Sequence, residues 1–89
     1  MTASNPRKTE ADALYRKKKY GEAATAYSAA LKLEPTNEKI YSNRAACFQQ
    51  MREPTLALAD VKHVLTYDPA NAKALARKQV YEQQLKGMS

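Results

Sequence analysis

The sequence predicts an all-α fold: two helix–turn–helix repeats followed by a fifth, capping helix. Three observations carry this. Two glycines in 89 residues, among many Ala, Leu, Lys, Glu and Gln, favour helix throughout. No segment sustains the period-two alternation of a half-buried strand. The stretch KLEPTN, Lys32 to Asn37, returns 34 residues later as TYDPAN, Thr66 to Asn71, so that Pro35 matches Pro69 and Asn37 matches Asn71.

Boundary residues place the elements near 5–18, 21–33, 38–51, 54–67 and 72–86. Ser4-Asn5-Pro6 reads as a cap followed by proline in the first turn. The run Arg16-Lys17-Lys18-Lys19 suits a helix C-terminus, where cations meet the negative end of the dipole. Gly21 is expected at the turn into the second helix, which carries Ala23, Tyr27, Ala30 and Leu31 on one face and stops before Pro35. Asn37 caps a third helix through about Gln50. Pro54 opens a fourth, ending before Pro69, and Asn71 caps a fifth with Leu75, Val80 and Leu85 as its apolar positions.

A shift of 34 overlays the halves: Ala11 on Ala45, Leu14 on Phe48, Ala23 on Ala57, Tyr27 on Val61, Ala30 on Val64 and Leu31 on Leu65. Small positions let paired helices approach, and large ones fill the gap between them. One domain over 1–89 follows, with repeats at about 4–37 and 38–71 and the cap at about 72–86. The cap covers an apolar face that the second repeat leaves open.

Composition narrows the function. Hydrophobic residues at 44% with 27% charged residues fit a globular chain. There is no run of about 18 apolar residues for a membrane span, and MTASNPRKTE has no apolar signal segment. The single cysteine, Cys47, makes no internal disulfide, so a reducing compartment, cytosol or nucleus, is expected. The net charge of +6 favours acidic partners: a carboxylate-rich peptide, nucleic acid or an anionic membrane. Catalysis and cofactors are not indicated. His63 reads as a solvated position and Cys47 as core filler; no Gly-rich phosphate loop, acid dyad or metal cluster accompanies them.

The 34-residue helix–turn–helix period, with Ala23, Tyr27, Ala30, Pro35, Tyr41, Ala45, Phe48, Ala57 and Pro69 in register, resembles the tetratricopeptide repeat. The resemblance covers about residues 4–86 and implies a right-handed α-solenoid. It is weakest in the first helix, where Arg7 and Ala11 replace a bulky residue and a glycine. It becomes specific in the first helix of each pair, which lines the concave surface. There Lys8 and Asp12, Asn43 within YSNRAA, and Lys73 and Arg77 within AKALARK look like the dicarboxylate clamp of co-chaperone domains. Those domains bind the C-terminal Glu-Glu-Val-Asp tail of heat-shock protein 90 and heat-shock protein 70. The resemblance implies that Lys8, Asn43, Lys73 and Arg77 hold peptide carboxylates, and that Tyr15, Ala46 and Gln50 form a pocket for the valine.

Asp12 departs from the pattern, standing where the family has asparagine. An amide donates to a carboxylate; an ionised Asp does not. Asp12 is expected to pair with Lys8 instead, which leaves three outcomes open: weakened binding, a shift to another acidic C-terminus, or no binding. Arg44 is expected to brace neighbouring helices, Tyr20, Tyr27 and Tyr41 to pack between helices, and Arg16–Lys19 to be a solvated helix end. The leading function is therefore an adaptor for an acidic C-terminal peptide. The alternative is a scaffold subunit of a larger complex that does not use the clamp. Nucleic-acid binding ranks below both, because aromatic and basic residues are not interleaved.

Overall fold

Asparagine side chains begin three of the helices. In the computed structural model, which describes residues 5–87, Asn5 caps α1 (Pro6–Arg16) by accepting from the backbone N–H groups of Arg7 and Lys8 at 3.2 and 3.3 Å. Ser4, the other expected cap residue, lies outside the described residues. The remaining helices are α2 (Tyr20–Leu33), α3 (Glu38–Gln50), α4 (Pro54–Tyr67) and α5 (Ala72–Gly87), and the described residues contain no strand. Asn37 accepts from Lys39 N–H and Asn71 from Ala74 N–H, both at 3.0 Å, so the repeated asparagine starts α3 and α5.

The turns inside the two helix pairs are also copies. Lys18 and Arg52 take left-handed backbone angles, φ 63° and 60°. Their N–H groups bond the carbonyls of Tyr15 and Gln49, and the next residues, Lys19 and Glu53, bond those of Leu14 and Phe48 at 2.9 and 2.8 Å. This double closure satisfies the orphan carbonyls of a helix end, and its left-handed position is usually glycine. The expectation that Gly21 makes the turn is thus corrected: Gly21 is the second residue of α2, and Lys18 turns the chain. For the same reason α1 stops at Arg16 rather than near 18.

Two apolar clusters hold the stack. One gathers Ala11, Ala23, Ala24, Ala26, Tyr27, Ala30 and Leu31 with Ile40 and Cys47 of α3. The other gathers Ala45, Ala57, Val61, Val64, Ala74 and Tyr81. Tyr41 and Phe48 border both, so α3 joins the repeats. The fully buried alanines 11, 23, 45 and 57 are the small positions at which the helices close up.

The face of α5 differs from expectation. Ala74 and Tyr81 are its buried residues, whereas Leu75 and Val80 are 47% and 48% exposed and Leu85 is half-buried. Among the described residues α5 packs against α4 and bonds to α3 through Arg77 and Tyr81. Close approach there needs a small residue, and Tyr81 reaches further, donating its hydroxyl to Gln49 Oε1 at 2.6 Å.

Candidate ligand-binding groove

Residues of α1, α2, α3 and α5 line an open cavity of about 280 Å³. Asp12, Tyr15 and Arg16 come from α1, Tyr27 from α2, Asn43 and Ala46 from α3, and Arg77 from α5. The shared register brings them together: in each pair the first helix presents this face, so residues about 34 apart converge. Asn43, Arg77, Asp12, Tyr15 and Ala46 of the expected set therefore meet in one place. Lys8 joins through Asp12. Lys73 and Gln50 are exposed and outside the lining.

Asp12 is fully engaged. Lys8 Nζ donates to its Oδ2 at 3.1 Å, and the Tyr27 hydroxyl donates to its Oδ1. The expected Lys8–Asp12 pair forms, with each side chain about 30% exposed. Burial, reinforced by the Asp12 carboxylate, holds the Tyr27 phenol well above the ordinary tyrosine range. Tyr27 therefore stays a protonated donor to Asp12. Arg77 is oriented by α3: its Nη1 donates to Ser42 Oγ at 3.1 Å and to the Ser42 carbonyl at 3.4 Å. Its Nε and Nη2 donors remain for a ligand. Lys8 neutralises Asp12, so the two guanidinium groups of Arg16 and Arg77 make the lining positive.

Two lining residues are additions to the sequence reading, which leaves Arg16 in a solvated helix end and Tyr27 in the packing between helices. Both had a signal. Arg16 follows Asp12 by four and Lys8 by eight, hence on the same face of α1. Tyr27 carries a hydroxyl where its counterpart Val61 has none, and a buried tyrosine needs a partner.

Arg44 braces helices as expected. Its Nε and Nη2 fork onto Asp60 at 2.9 and 2.6 Å, and its Nη1 donates to Ser28 Oγ of α2 at 3.0 Å. The hydrogen bond to Asp60 raises its pKa further. Cys47 is buried, and burial followed by the Asp60 charge pushes its thiol up to about 11, away from thiolate chemistry. His63 is exposed and stacks on Tyr41 with ring centres 4.6 Å apart. Among the described residues no three His, Cys, Asp or Glu side chains converge as a metal site, and no helix is long and apolar enough to cross a membrane.

A family model described as TPR repeat matches residues 11–51. Hsp70-Hsp90 organizing protein 3 of Arabidopsis thaliana is 31% identical over 77 residues, covering 86% of this chain and 14% of that protein. The chain spans 10–20% of the length of the curated relatives it matches. Among solved structures, the Sgt2 TPR domain from Aspergillus fumigatus superposes with a TM-score of 0.82 at 28% identity, covering 92% of this chain and 54% of that one. The first TPR of Spaghetti (RPAP3), bound to the HSP90 peptide SRMEEVD, superposes with a TM-score of 0.83 at 21% identity, covering 91% of this chain and 64% of that one.

Proposed function

We propose that this chain, which carries the tetratricopeptide-repeat fold, is a co-chaperone-like adaptor that grips an acidic C-terminal peptide in its concave groove. The ligand is the Glu-Glu-Val-Asp tail of heat-shock protein 90 or heat-shock protein 70. The carrying observation is the convergence of Asn43, Arg77, Tyr15 and Ala46 on one cavity. Asn43 donates an amide N–H, and Arg77, already aimed by Ser42, offers its free fork to a carboxylate. Lys73, exposed four residues before Arg77 on α5, attracts acidic side chains by its charge, and Tyr15 with Ala46 forms the wall for a small apolar side chain. The relative named as an Hsp70-Hsp90 organizing protein supports this reading, and so does the peptide held by a domain of the same fold. The same view makes the chain a binding module rather than an enzyme, working in the cytoplasm or nucleus. Its unit is one domain of two repeats and a cap.

A second reading has its own observation. Lys8 and Asp12 satisfy each other, and Tyr27 completes Asp12, so this corner of the clamp is occupied from within. The chain would then be a scaffold subunit of a chaperone-linked complex that leaves the groove unused. Calorimetry separates the two readings, with a peptide ending in Met-Glu-Glu-Val-Asp titrated as the free acid and as the C-terminal amide. The adaptor reading expects the free acid to bind, the amide to fail and Lys73→Ala to weaken binding by about tenfold, the loss of one charge-assisted contact. No binding of either peptide at millimolar concentration, with no rescue by Asp12→Asn, leaves the scaffold reading.

A further inference from the structure

We propose that Arg16 is a specificity-determining anion contact of this groove, supplying at the C-terminal end of α1 the donor that Asp12 withdraws from its middle. The inference rests on the reading that the groove takes carboxylates. Lys8, Asp12 and Arg16 are spaced by four and form one stripe along α1. Within that stripe the first two cancel, because Lys8 occupies one Asp12 oxygen and Tyr27 the other. Arg16 has no part in this. Among the described residues no hydrogen bond or ion pair engages it, although Asp12 is its i−4 neighbour and a carboxylate. It is exposed, and it lines the same cavity as Tyr15, Asn43, Ala46 and Arg77.

The cavity therefore has a guanidinium on α1, an amide on α3 and a second guanidinium on α5. A guanidinium is a planar fork that matches a carboxylate with two parallel bonds, which an ammonium does not. Two such forks with an amide donor in the same lining fit a ligand bearing two carboxylates. A C-terminal aspartate, with its α-carboxylate and its side chain, has that chemistry. The small apolar residue before it would rest on Tyr15 and Ala46. The groove thus selects a two-carboxylate terminus in a register set by Arg16, rather than by the Lys8–Asp12 corner.

The test compares Arg16→Gln, Arg16→Lys and Lys17→Gln with the native chain. Lys17→Gln removes the same charge one residue away, from an exposed side chain outside the cavity lining. Two ligands are used: the Met-Glu-Glu-Val-Asp peptide by calorimetry, and glutarate, a bare dicarboxylate, by NMR shifts of the Asn43 side-chain amide and the Ala46 backbone amide. Arg16→Gln should weaken both ligands by about tenfold or more, while Lys17→Gln changes them by less than about twofold, because a positioned charge-assisted bond outweighs a screened surface charge. Arg16→Lys should recover part of the loss. Equal effects of Arg16→Gln and Lys17→Gln, or none from either, overturn the assignment while leaving the peptide-binding reading intact. If the native chain binds glutarate in an Arg16-dependent way but no chaperone peptide, the assignment stands and the choice of partner falls. If it binds neither, both fall.

Discussion

Two ion pairs, Lys8–Asp12 in the first repeat and Arg44–Asp60 in the second, are built differently. Arg44 and Asp60 join α3 to α4 by two bonds of 2.9 and 2.6 Å, and the Asp60 side chain is 2% exposed. Lys8 and Asp12 lie along α1, share one bond of 3.1 Å and stay about 30% exposed. The positions are not equivalent. Under the 34-residue shift, Arg44 matches Glu10 and Asp60 matches Ala26, while Asp12 matches Ala46. One pair ties two helices together, and the other stays within a single helix beside the groove. The first is a two-bond fork between helices; the second is a single bond along one helix, with Tyr27 of α2 on the other Asp12 oxygen.

Breaking the structural pair should have the largest effect. Asp60→Ala leaves the Arg44 guanidinium without its partner between helices, and removing one member of a buried pair costs about 3–5 kcal/mol. A domain of this size has little more than that to lose, since typical stabilities are about 5–15 kcal/mol. Urea denaturation should show a large fall in midpoint or outright unfolding. A shift below about 1 kcal/mol would mean that Ser28, Tyr41 and Phe48 hold Arg44 well enough without the carboxylate, given that it lies 5.7 Å from both ring centres.

Tyr27→Phe acts on the groove pair from behind. It removes a hydrogen bond to a charged group, worth about 1.5–3 kcal/mol, and leaves one Asp12 oxygen free in the cavity. Stability and affinity for acidic peptides should both fall. The native chain should also lose stability in alkali, and the sign follows from proton counts. The Tyr27 pKa is raised in the fold, so above about pH 10 the unfolded chain releases a proton that the native chain keeps, and unfolding gains. Tyr27→Phe should flatten part of that decline. Tyr81, also raised by burial, and Cys47 keep the remainder. An unchanged alkaline profile would count against the Tyr27–Asp12 bond.

Lys18→Gly and Arg52→Gly should stabilise, each by about 1 kcal/mol, because both residues occupy the left-handed region that penalises a Cβ. The two gains should be similar, since the turns share their angles and hydrogen bonds. Unequal gains in thermal unfolding would show that the copies differ in strain despite their geometry.

The same turns show where sequence reading succeeds and stops. Pro35, Asn37, Pro54, Pro69 and Asn71 act through local backbone chemistry, so the ends they mark for α2, α3, α4 and α5 lie within about one residue of expectation. Lys18 carries no such mark: a lysine takes the left-handed position that glycine usually fills, and the nearby Gly21 misleads. The face of α5 is likewise decided by what lies beside it, which is why Ala74 and Tyr81 are buried and Leu75 is not. In the groove, register places Asn43, Arg77 and Asp12 together, because register is a property of the chain. Whether a side chain there is free depends on partners from other helices. Tyr27 comes from α2 to seal Asp12, and that contact leaves Arg16 as the unengaged cation of α1.

Asp12→Asn has the smallest expected effect on stability and the most direct bearing on the comparison. An asparagine oxygen still accepts from Tyr27, so the bond across to α2 survives in neutral form. What is lost is an i, i+4 ion pair about 30% exposed, worth about 0.3–0.5 kcal/mol. Melting temperature should therefore hardly move. Affinity should move more, because Lys8 is released as a donor and a negative charge leaves the cavity. A gain of about tenfold for the free-acid peptide, with an unchanged melting temperature, would show that the groove pair is set for selectivity rather than for folding. A stability loss comparable to that of Asp60→Ala would erase the distinction between the two pairs. The Lys8–Asp12–Tyr27 contact would then be a second brace, and the groove beside it a by-product of helix packing.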